Sequence, residues 1–148
     1  MQVKEIELHD DLSSLVSLIN NAMWDDANEI SVFDVESLTA YLSRQDTVFL
    51  ACYIDEQIAG IASARIEIKP YGKEQWLYID EVDVCVNFRK LGVGKYMMKS
   101  LLTIAKAHNC TEAWLGTETD NKAANALYSS LKPTEIEEFI GFNFDLEN

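Results

Sequence analysis

The chain has 148 residues, 48% of them hydrophobic, and its 25 acidic against 12 basic residues leave a net charge of −13. This length and apolar content fit a single globular domain over residues 1–148 and exclude a disordered chain. Because affinity for phosphate backbones comes mainly from Lys and Arg, so acidic a surface excludes nucleic acid and favours a cationic small molecule as partner.

Hydrophobic periodicity predicts a strand, two helices and a β-hairpin in the first half of the chain. Asp10 or Asp11 can cap the first helix, whose apolar residues run from Leu12 to Ile19 at helical spacing. The second helix begins near Asp34. The strands are predicted over residues 3–8, 47–54 and 57–68, with a two-residue turn joining the last two.

Strands and helices alternate in the second half of the chain. A long strand, a helix and a short strand are predicted over residues 75–86, 92–108 and 113–117. A helix that begins at Asp120 or Asn121 and runs to Leu131, and a closing strand over residues 136–146, follow them. The element order is therefore β-α-α-β-β-β-α-β-α-β. Hairpins followed by β-α-β units imply an α/β (α+β) fold, in which a mixed sheet carries helices on both faces.

The sequence predicts neither a membrane segment nor a cysteine framework. The longest apolar run, residues 48–54, is far shorter than the ~20 residues of a spanning helix. The first residues lack the pattern of a signal peptide, so we expect a cytoplasmic protein. Cys52, Cys85 and Cys110 are widely spaced among apolar residues, which predicts buried small side chains rather than disulfides or a metal site.

The segment between the long strand and the long helix is suited to bind a pyrophosphate. Gly92 and Gly94 allow the backbone to approach a ligand closely. The first N–H groups of the helix point at that ligand, with the positive end of the helix dipole behind them. Arg89, Lys90 and Lys95 add charge-assisted contacts.

The distribution of charge supports the same interpretation. Residues 84–111 contain no acidic residue and carry a net charge of +5. The remaining residues, with 7 basic and 25 acidic side chains, carry −18. An ordinary surface helix after a glycine turn is the alternative, but a segment cleared of every carboxylate favours a polyanionic ligand.

Two motifs in this region resemble those of a known family. The pattern R-x-x-G-x-G at residues 89–94, after a strand that ends V-x-V, resembles the pyrophosphate arm of the GNAT superfamily of N-acetyltransferases. About thirty residues later, N-K-A-A-N-A-L-Y at residues 121–128 resembles the helix that flanks the coenzyme A thiol in this family. The family's mixed, mostly antiparallel sheet has the element order predicted above.

The resemblance implies acetyl-CoA as the cofactor. The residues that would hold it are Val84, Cys85, Val86, Arg89, Lys90, Leu91, Gly92, Val93, Gly94, Lys95, Asn121, Asn125 and Tyr128. Within the superfamily, residues 78–84 and 138–146 are most similar to the aminoglycoside 3-N-acetyltransferase branch. One departure is Lys132-Pro133, where many relatives have Gly-Phe, so the turn after the second motif must differ.

Acetyl transfer to an amine needs a base, because an alkylammonium with a pKa near ~10 is mostly protonated at neutral pH. We favour Glu81, since an acidic residue stands at the same offset before the arginine in the aminoglycoside branch, and Asp83 is the competitor. Period-2 alternation places Glu81 and Asp83 on one face of the strand with Ile79, and Asp80 on the other.

The resemblance also implies roles for Tyr128 and for the end of the long strand. The Tyr128 hydroxyl would protonate the leaving sulfur, and the N–H of Val84 or a neighbour would donate to the developing oxyanion. Residues 84–86 would pair with the pantetheine arm as a strand edge does. A tyrosine on a helix is otherwise a packed residue with a hydrated hydroxyl.

Acceptor recognition is predicted from acidic and aromatic side chains. An aromatic ring beside carboxylates, as in the segment after the first helix, suits a cationic amine. Acidic residues in a loop can equally be solvated without further role. The candidate substrate-binding residues are Trp24, Asp25, Asp26, Glu29, Glu118 and Asp120.

The sequence therefore favours an N-acetyltransferase that moves an acetyl group from acetyl-CoA to a primary amine of a cationic small molecule, such as an aminoglycoside, in a ternary complex. Polyamines and basic protein ends are alternative acceptors. The alternative from another class is a catalytically silent module that binds or senses acyl-CoA. Phe139, Phe142 and Phe144 of the closing strand could pack into a homodimer or into the core.

Overall fold

The computed structural model describes residues 1–25 and 30–147. The chain divides into two compact units, Met1–Gly116 and Thr117–Asn148. The described elements of the first unit are β1 (Gln2–Glu5), α1 (Leu12–Asn21), α2 (Val35–Leu42), β2 (Thr47–Ile54), β3 (Gln57–Ile68), β4 (Gln75–Val84), a 3₁₀ turn (Val86–Phe88), α3 (Val93–Ala107) and β5 (Glu112–Trp114). The second unit contains α4 (Lys122–Ser130).

The strands of the first unit form one sheet in the order β1-β2-β3-β4-β5. Neighbouring strands from β1 to β4 run antiparallel, and β5 runs parallel to β4. This mixed, mostly antiparallel sheet confirms the predicted fold class. Because β4 and β5 are parallel, α3 must return across the sheet between them, so its N-terminus follows the carboxyl end of β4.

The β2–β3 hairpin has the predicted boundaries. Asp55 and Glu56 in its turn have φ values of 49° and 66°. Positive φ at both positions is typical of the type I′ turn, whose twist matches that of the two strands. The middle of β2 is buried on both faces, which explains why its apolar run is continuous rather than alternating.

Helices cover both faces of the sheet. Apolar residues of α1 and α2 pack with Phe49 and Ala51 of β2 in one core cluster. On the opposite face α3 lies against Gly60 of β3, where an added Cβ would come within 2.7 Å of Met97 and 2.9 Å of Val93. No helix in the described ranges is long and apolar enough to cross a membrane.

Side-chain caps begin α1, α2 and α4 at the predicted places. Asp11 accepts hydrogen bonds from the N–H and hydroxyl of Ser14, and Asp34 does the same with Ser37. These hydrogen bonds lower the pKa of both carboxyls. Asn121 caps α4 in the same way. The caps are local, so the sequence pattern locates the helix starts to within one residue.

Two strands are shorter than predicted. The first was predicted over residues 3–8 but ends at Glu5, because Asp10 accepts hydrogen bonds from the Glu7 N–H at 2.8 Å and from Lys4 Nζ at 2.6 Å and thereby turns the chain. The strand predicted over residues 113–117 spans only Glu112–Trp114. Pairing with β4 limits it to these three residues.

The predicted closing strand over residues 136–146 is wrong, since no strand forms there. Its alternating aromatic residues have β propensity, but a strand needs partners for its backbone N–H and C=O groups. The described residues of the second unit contain no other strand. Phe142 and Phe144 are 79% and 80% exposed instead.

The cysteines differ in burial. Cys52 and Cys85 are buried, as predicted, and burial raises the pKa of both thiols, that of Cys85 to about 11. Cys110 is only partly buried, so the prediction is wrong for this residue. It lies in the loop that connects α3 and β5, outside both elements.

Candidate active site

The long strand ends two residues before the predicted boundary, at Val84. The Cys85 N–H donates to the Ala59 carbonyl at 2.8 Å, and the Val86 N–H donates to the Met23 carbonyl at 2.9 Å. Both N–H groups are therefore satisfied within the protein. Of the three residues predicted to pair with a pantetheine arm, Val84 is the one whose N–H can still reach a ligand.

Within the described residues of the first unit, the outer edge of β4 has no partner strand near Val84. β5 pairs with β4 only from Trp76 to Tyr78, and past Tyr78 no strand among the described residues of the first unit pairs with that edge. Backbone groups alternate in direction along an antiparallel strand. Since the Cys85 N–H points to β3, the Val84 N–H points away from β3, towards the open edge. An extended chain bearing amides can pair there.

The N-terminus of α3 follows this edge. Gly92 has a φ of +85°, a conformation that glycine adopts without strain, and it offers no capping side chain. The first N–H that bonds back along the helix is that of Tyr96, which donates to the Gly92 carbonyl. The N–H groups of Val93, Gly94 and Lys95 therefore have no partner within the helix, and they suit an anion.

The positive charges predicted for this site are not all close to it. Lys90 and Lys95 lie at the turn, are exposed and make no ion pair with any residue that the structure describes. Lys106 lies in the last turn of α3, about 20 Å along a 15-residue helix. There it stabilises the negative end of the helix dipole rather than a phosphate.

Arg89 forms an ion pair that the sequence does not predict. Its guanidinium contacts the Asp25 carboxylate at 2.5 Å. Arg89 was predicted to bind the pyrophosphate and Asp25 to bind the acceptor, so one contact joins the two predicted sites. The Arg89 guanidinium therefore already has a carboxylate partner, with which any phosphate would have to compete.

We expect Asp25→Asn to tighten the binding of coenzyme A about two- to fivefold, because it removes a carboxylate that competes for Arg89 across a partly exposed ion pair. Titration calorimetry at low salt would measure the Kd. Asp46→Asn makes the same charge change at the turn before β2 and controls for net charge. Weaker binding would instead mean that Asp25 positions Arg89 for the ligand.

A β-bulge changes the predicted faces of β4. Glu81 pairs with Ser63 and Ile79 pairs with Ala64, so Asp80 is the extra residue between them. A bulge breaks the period-2 alternation. Asp80 and Glu81 both act electrostatically on Tyr41 of α2. The prediction that Asp80 lies on the face opposite Glu81 is therefore wrong, and so is the shared face of Glu81 and Ile79.

Glu81 and Asp83 interact, as their predicted common face requires. Burial, and secondly the charge of Glu81, raises the pKa of Asp83 to about 6. Glu81 is exposed and Asp83 is half-buried. A carboxyl with a pKa nearer to neutrality is a better base, whereas the exposed one is easier for an acceptor to reach.

A cavity of about 260 Å³ adjoins Glu81 on the face covered by α2. Phe33, Tyr41 and Phe49 are among its lining residues, together with Leu38 and Ser63, whereas Asp83 is not. Glu81 is thus the predicted catalytic carboxylate that faces a space of small-molecule size. A larger, more open groove of about 380 Å³ between β1 and α3 contains none of the predicted site residues.

The aromatic residues of this cavity are absent from the predicted site. Tyr41 and Phe49 have the apolar spacing of core residues, and both do pack against the core. The Tyr41 hydroxyl lies close to the Ala64 and Val48 carbonyls, at 2.9 and 3.1 Å. Burial and then the charge of Asp80 raise its pKa to about 12. No local signal distinguishes such residues from the rest of the core.

The segment after α1, predicted to bind the acceptor, makes contacts within the protein. Trp24 donates its ring N–H to the Ile19 carbonyl at 2.8 Å and packs against the core, which secures the end of α1. Asp25 pairs with Arg89. Asp26 and Glu29, also predicted to bind substrate, lie outside the described residues.

In the second unit, the asparagines of the second motif brace the start of α4. Asn121 Oδ1 accepts from the Ala124 N–H at 3.1 Å, and Asn125 Nδ2 donates to the Asn121 carbonyl at 2.7 Å and to the Glu118 carbonyl at 3.0 Å. Tyr128 is partly buried on α4. The side chains of Glu118 and Asp120 are exposed.

Comparison with known proteins agrees with the motifs. Residues 12–131 match the model of the Acetyltransferase (GNAT) family. Human N-acetyltransferase 8 is 27% identical over 99 residues, which are 66% of this chain and 44% of that protein. The chain thus spans less than half the length of this curated relative.

Solved structures share the fold. An aminoglycoside acetyltransferase, meta-AAC0020, from an uncultured soil metagenomic sample superposes with a TM-score of 0.85 at 20% identity, over 99% of this chain and 96% of that one. It was crystallised with trehalose and, in a second structure, with sisomicin. The aminoglycoside 6′-N-acetyltransferase AAC(6′)-IG of Acinetobacter haemolyticus gives a TM-score of 0.72 at 19% identity, over 99% and 100% of the two chains.

Proposed function

Because the chain belongs to the Acetyltransferase (GNAT) family, we propose that it transfers an acetyl group from acetyl-CoA to a primary amine of a cationic small molecule. The observation that carries this proposal is the succession along β4 of Glu81 beside a cavity, the Val84 N–H at an open strand edge, and then the N-terminus of α3. A carboxylate suits the amine, a backbone N–H suits the thioester oxygen, and the helix N-terminus suits the pyrophosphate.

The residues of the first unit fit the cofactor. The N–H groups of Val93, Gly94 and Lys95 would hold its pyrophosphate, and the Val84 N–H would donate to the thioester oxygen as negative charge develops there. Bound acetyl-CoA supplies an activated acetyl group on a good leaving sulfur. Glu81 would take the proton from the acceptor ammonium, directly or through one water, because it lines the cavity.

The test is titration calorimetry with acetyl-CoA, followed by thiol release with a panel of an aminoglycoside, a polyamine, simple amines and a basic peptide. Aminoglycosides belong in the panel because several proteins of this fold are aminoglycoside acetyltransferases. Absence of coenzyme binding would contradict the proposal. Coenzyme binding without turnover on any amine would favour the silent acyl-CoA-binding module, and stronger competition by ATP than by CoA would favour a nucleotide site.

We expect Tyr128→Phe to lower kcat about tenfold with little change in the Kd of coenzyme A, because it removes the hydroxyl proposed to protonate the leaving sulfur. The effect is modest because a thiol with a pKa near ~8.5 leaves without strong acid assistance. Thiol-release assays with both acetyl-CoA and the amine at saturating concentration measure kcat. Tyr71→Phe, in the β3–β4 loop, is the matched control. An unchanged kcat would remove Tyr128 from the mechanism.

The proposed homodimer involves the exposed aromatic residues of the second unit. Phe139, Phe142 and Phe144 are between 53% and 80% exposed. A second copy could cover such side chains. Sedimentation velocity over a concentration series tests this, and a monomer at all concentrations would contradict it.

A further inference from the structure

The cavity beside Glu81 has an aromatic wall. The rings of Phe33 and Phe49 have centroids 5.9 Å apart and are tilted by 58°, and Tyr41 meets Phe49 edge-on at 6.3 Å. Phe49 and Leu38 are buried within this wall, whereas Phe33 is partly exposed. The Tyr41 hydroxyl lies within hydrogen-bonding distance of two backbone carbonyls, so this side chain turns its ring rather than a free donor to the cavity. Apolar groups are therefore favoured on this side.

The cavity offers one free carboxylate among its described lining residues. Asp34 also lines it, but one of its oxygens accepts from the Ser37 N–H at 2.7 Å and the other from the Ser37 hydroxyl at 2.9 Å. The Glu81 carboxylate makes no hydrogen bond or ion pair with a described residue. Asp34 remains ionised, but Glu81 is the lining carboxylate whose oxygens are not already engaged, so an ammonium that contacts a carboxylate directly is favoured at Glu81.

The volume of the cavity also favours an acceptor with one apolar group and one amine. A cavity of about 150 Å³ is enough to hold benzene. The 260 Å³ present here accommodate one ring with a short aminoalkyl chain, whereas the linked rings of an amino sugar such as sisomicin would extend beyond it.

We propose that the preferred acceptor is a primary amine that carries one aromatic or branched apolar group a few atoms from its nitrogen, with the ammonium at Glu81 and the apolar group against Phe33 and Phe49. This inference rests on the proposed acetyl transfer and narrows its substrate class. It differs from the polycationic acceptor that the net charge of −13 suggests.

The test compares 2-phenylethylamine, ethylamine and sisomicin as acceptors. We expect kcat/KM for 2-phenylethylamine to exceed that of the other two by at least about tenfold, since even small differences in apolar contact discriminate by that factor. Higher kcat/KM for sisomicin would overturn the inference while leaving the acetyl transfer intact.

Phe33→Ala tests the site of the apolar contact. The Phe33 N–H and carbonyl are both held by the Asn20 side chain, at 2.9 and 2.8 Å, so the loop keeps its backbone anchor when the ring is removed. We expect kcat/KM for 2-phenylethylamine to fall about tenfold and that for ethylamine to stay within about twofold, with partial recovery in Phe33→Leu. Tyr71→Ala, which removes an exposed ring outside the cavity, should change neither.

Equal losses for all three amines in Phe33→Ala would overturn the inference. Measuring the binding of the amine directly tests this inference independently of the proposed acetyl transfer. Titration calorimetry that shows selective binding of 2-phenylethylamine, weakened by Phe33→Ala, would support the cavity assignment even if no thiol were released. In that case the acetyl transfer alone would be contradicted.

Discussion

Replacing Glu81 by Gln is expected to lower kcat/KM for amine acetylation about a hundredfold, while the Kd for acetyl-CoA stays within about twofold. Gln has the shape of Glu but accepts no proton at neutral pH, so the ammonium would not be converted to the attacking amine. Glu81 lines the cavity on the face covered by α2 and does not belong to the turn before α3 that would hold the pyrophosphate. Steady-state thiol release and calorimetry measure the two quantities.

Asp83→Asn is the matched comparison, and we expect it to lower kcat/KM less than tenfold. Its pKa of about 6 gives a distinct signature if Asp83 is the base instead. A base acts as the carboxylate, so kcat/KM would then fall as the pH drops through about 6, and Asp83→Asn would abolish that fall. A larger loss in Asp83→Asn than in Glu81→Gln would assign proton transfer to Asp83.

The raised pKa of Asp83 also predicts how Asp83→Asn changes the free energy of unfolding, and this measurement shows whether the variant folds. The pKa of Asp83 is higher in the folded chain than the ~3.9 of an unfolded one. Its contribution to stability is therefore present at acid pH and is lost as the pH rises through about 6. At pH 8 we expect Asp83→Asn to raise the free energy of unfolding by about 1 kcal/mol, discounted because the group is half-exposed.

Gly60→Ala is expected to lower the free energy of unfolding by about 2 kcal/mol and the Tm by about 5 °C. The added Cβ would lie 2.9 Å from the Asp83 carbonyl oxygen and 2.7 Å from Met97. The Met97 side chain can shift, but the carbonyl belongs to the backbone of β4 next to Val84. Relief must therefore move α3 and the end of β4 away from Gly60 of β3, which also moves the proposed pyrophosphate turn.

Thermal unfolding and coenzyme titration together test this packing. Gly141→Ala is the matched control, because a Cβ there meets no atom within 4 Å. We expect it to change the free energy of unfolding by less than about 0.5 kcal/mol. If Gly60→Ala were as stable as Gly141→Ala and bound acetyl-CoA equally well, the close packing of α3 and β4 against Gly60 would be contradicted.

Local patterns predicted much of the fold because their causes are local. The β2–β3 hairpin follows from two β-rich runs around Asp55 and Glu56, and the helix starts follow from capping side chains three residues from the N–H groups they satisfy. The closing strand was predicted from equally clear alternation. It failed because a strand also needs a neighbour, which alternation does not supply.

The candidate site shows the same division. The sequence shows the glycine turn, the segment without acidic residues and the two motifs, and these features led to the family. The sequence did not predict that Arg89 pairs with Asp25, 64 residues away, or that a bulge turns Asp80 towards Tyr41. Such contacts depend on which distant segments pack together, and the periodicity of the sequence does not indicate this.

By itself, the sequence determined the fold class, the family and the separation of a basic turn from an acidic remainder, because periodicity, capping and charge are properties of neighbouring residues. Only the tertiary structure decided which carboxylate faces a cavity and what else lines it. Phe33, Tyr41 and Phe49 come from three different segments, and it is the folding of α2 over the sheet that brings them to Glu81. The aromatic wall narrows the acceptor in a way that the net charge of −13 does not.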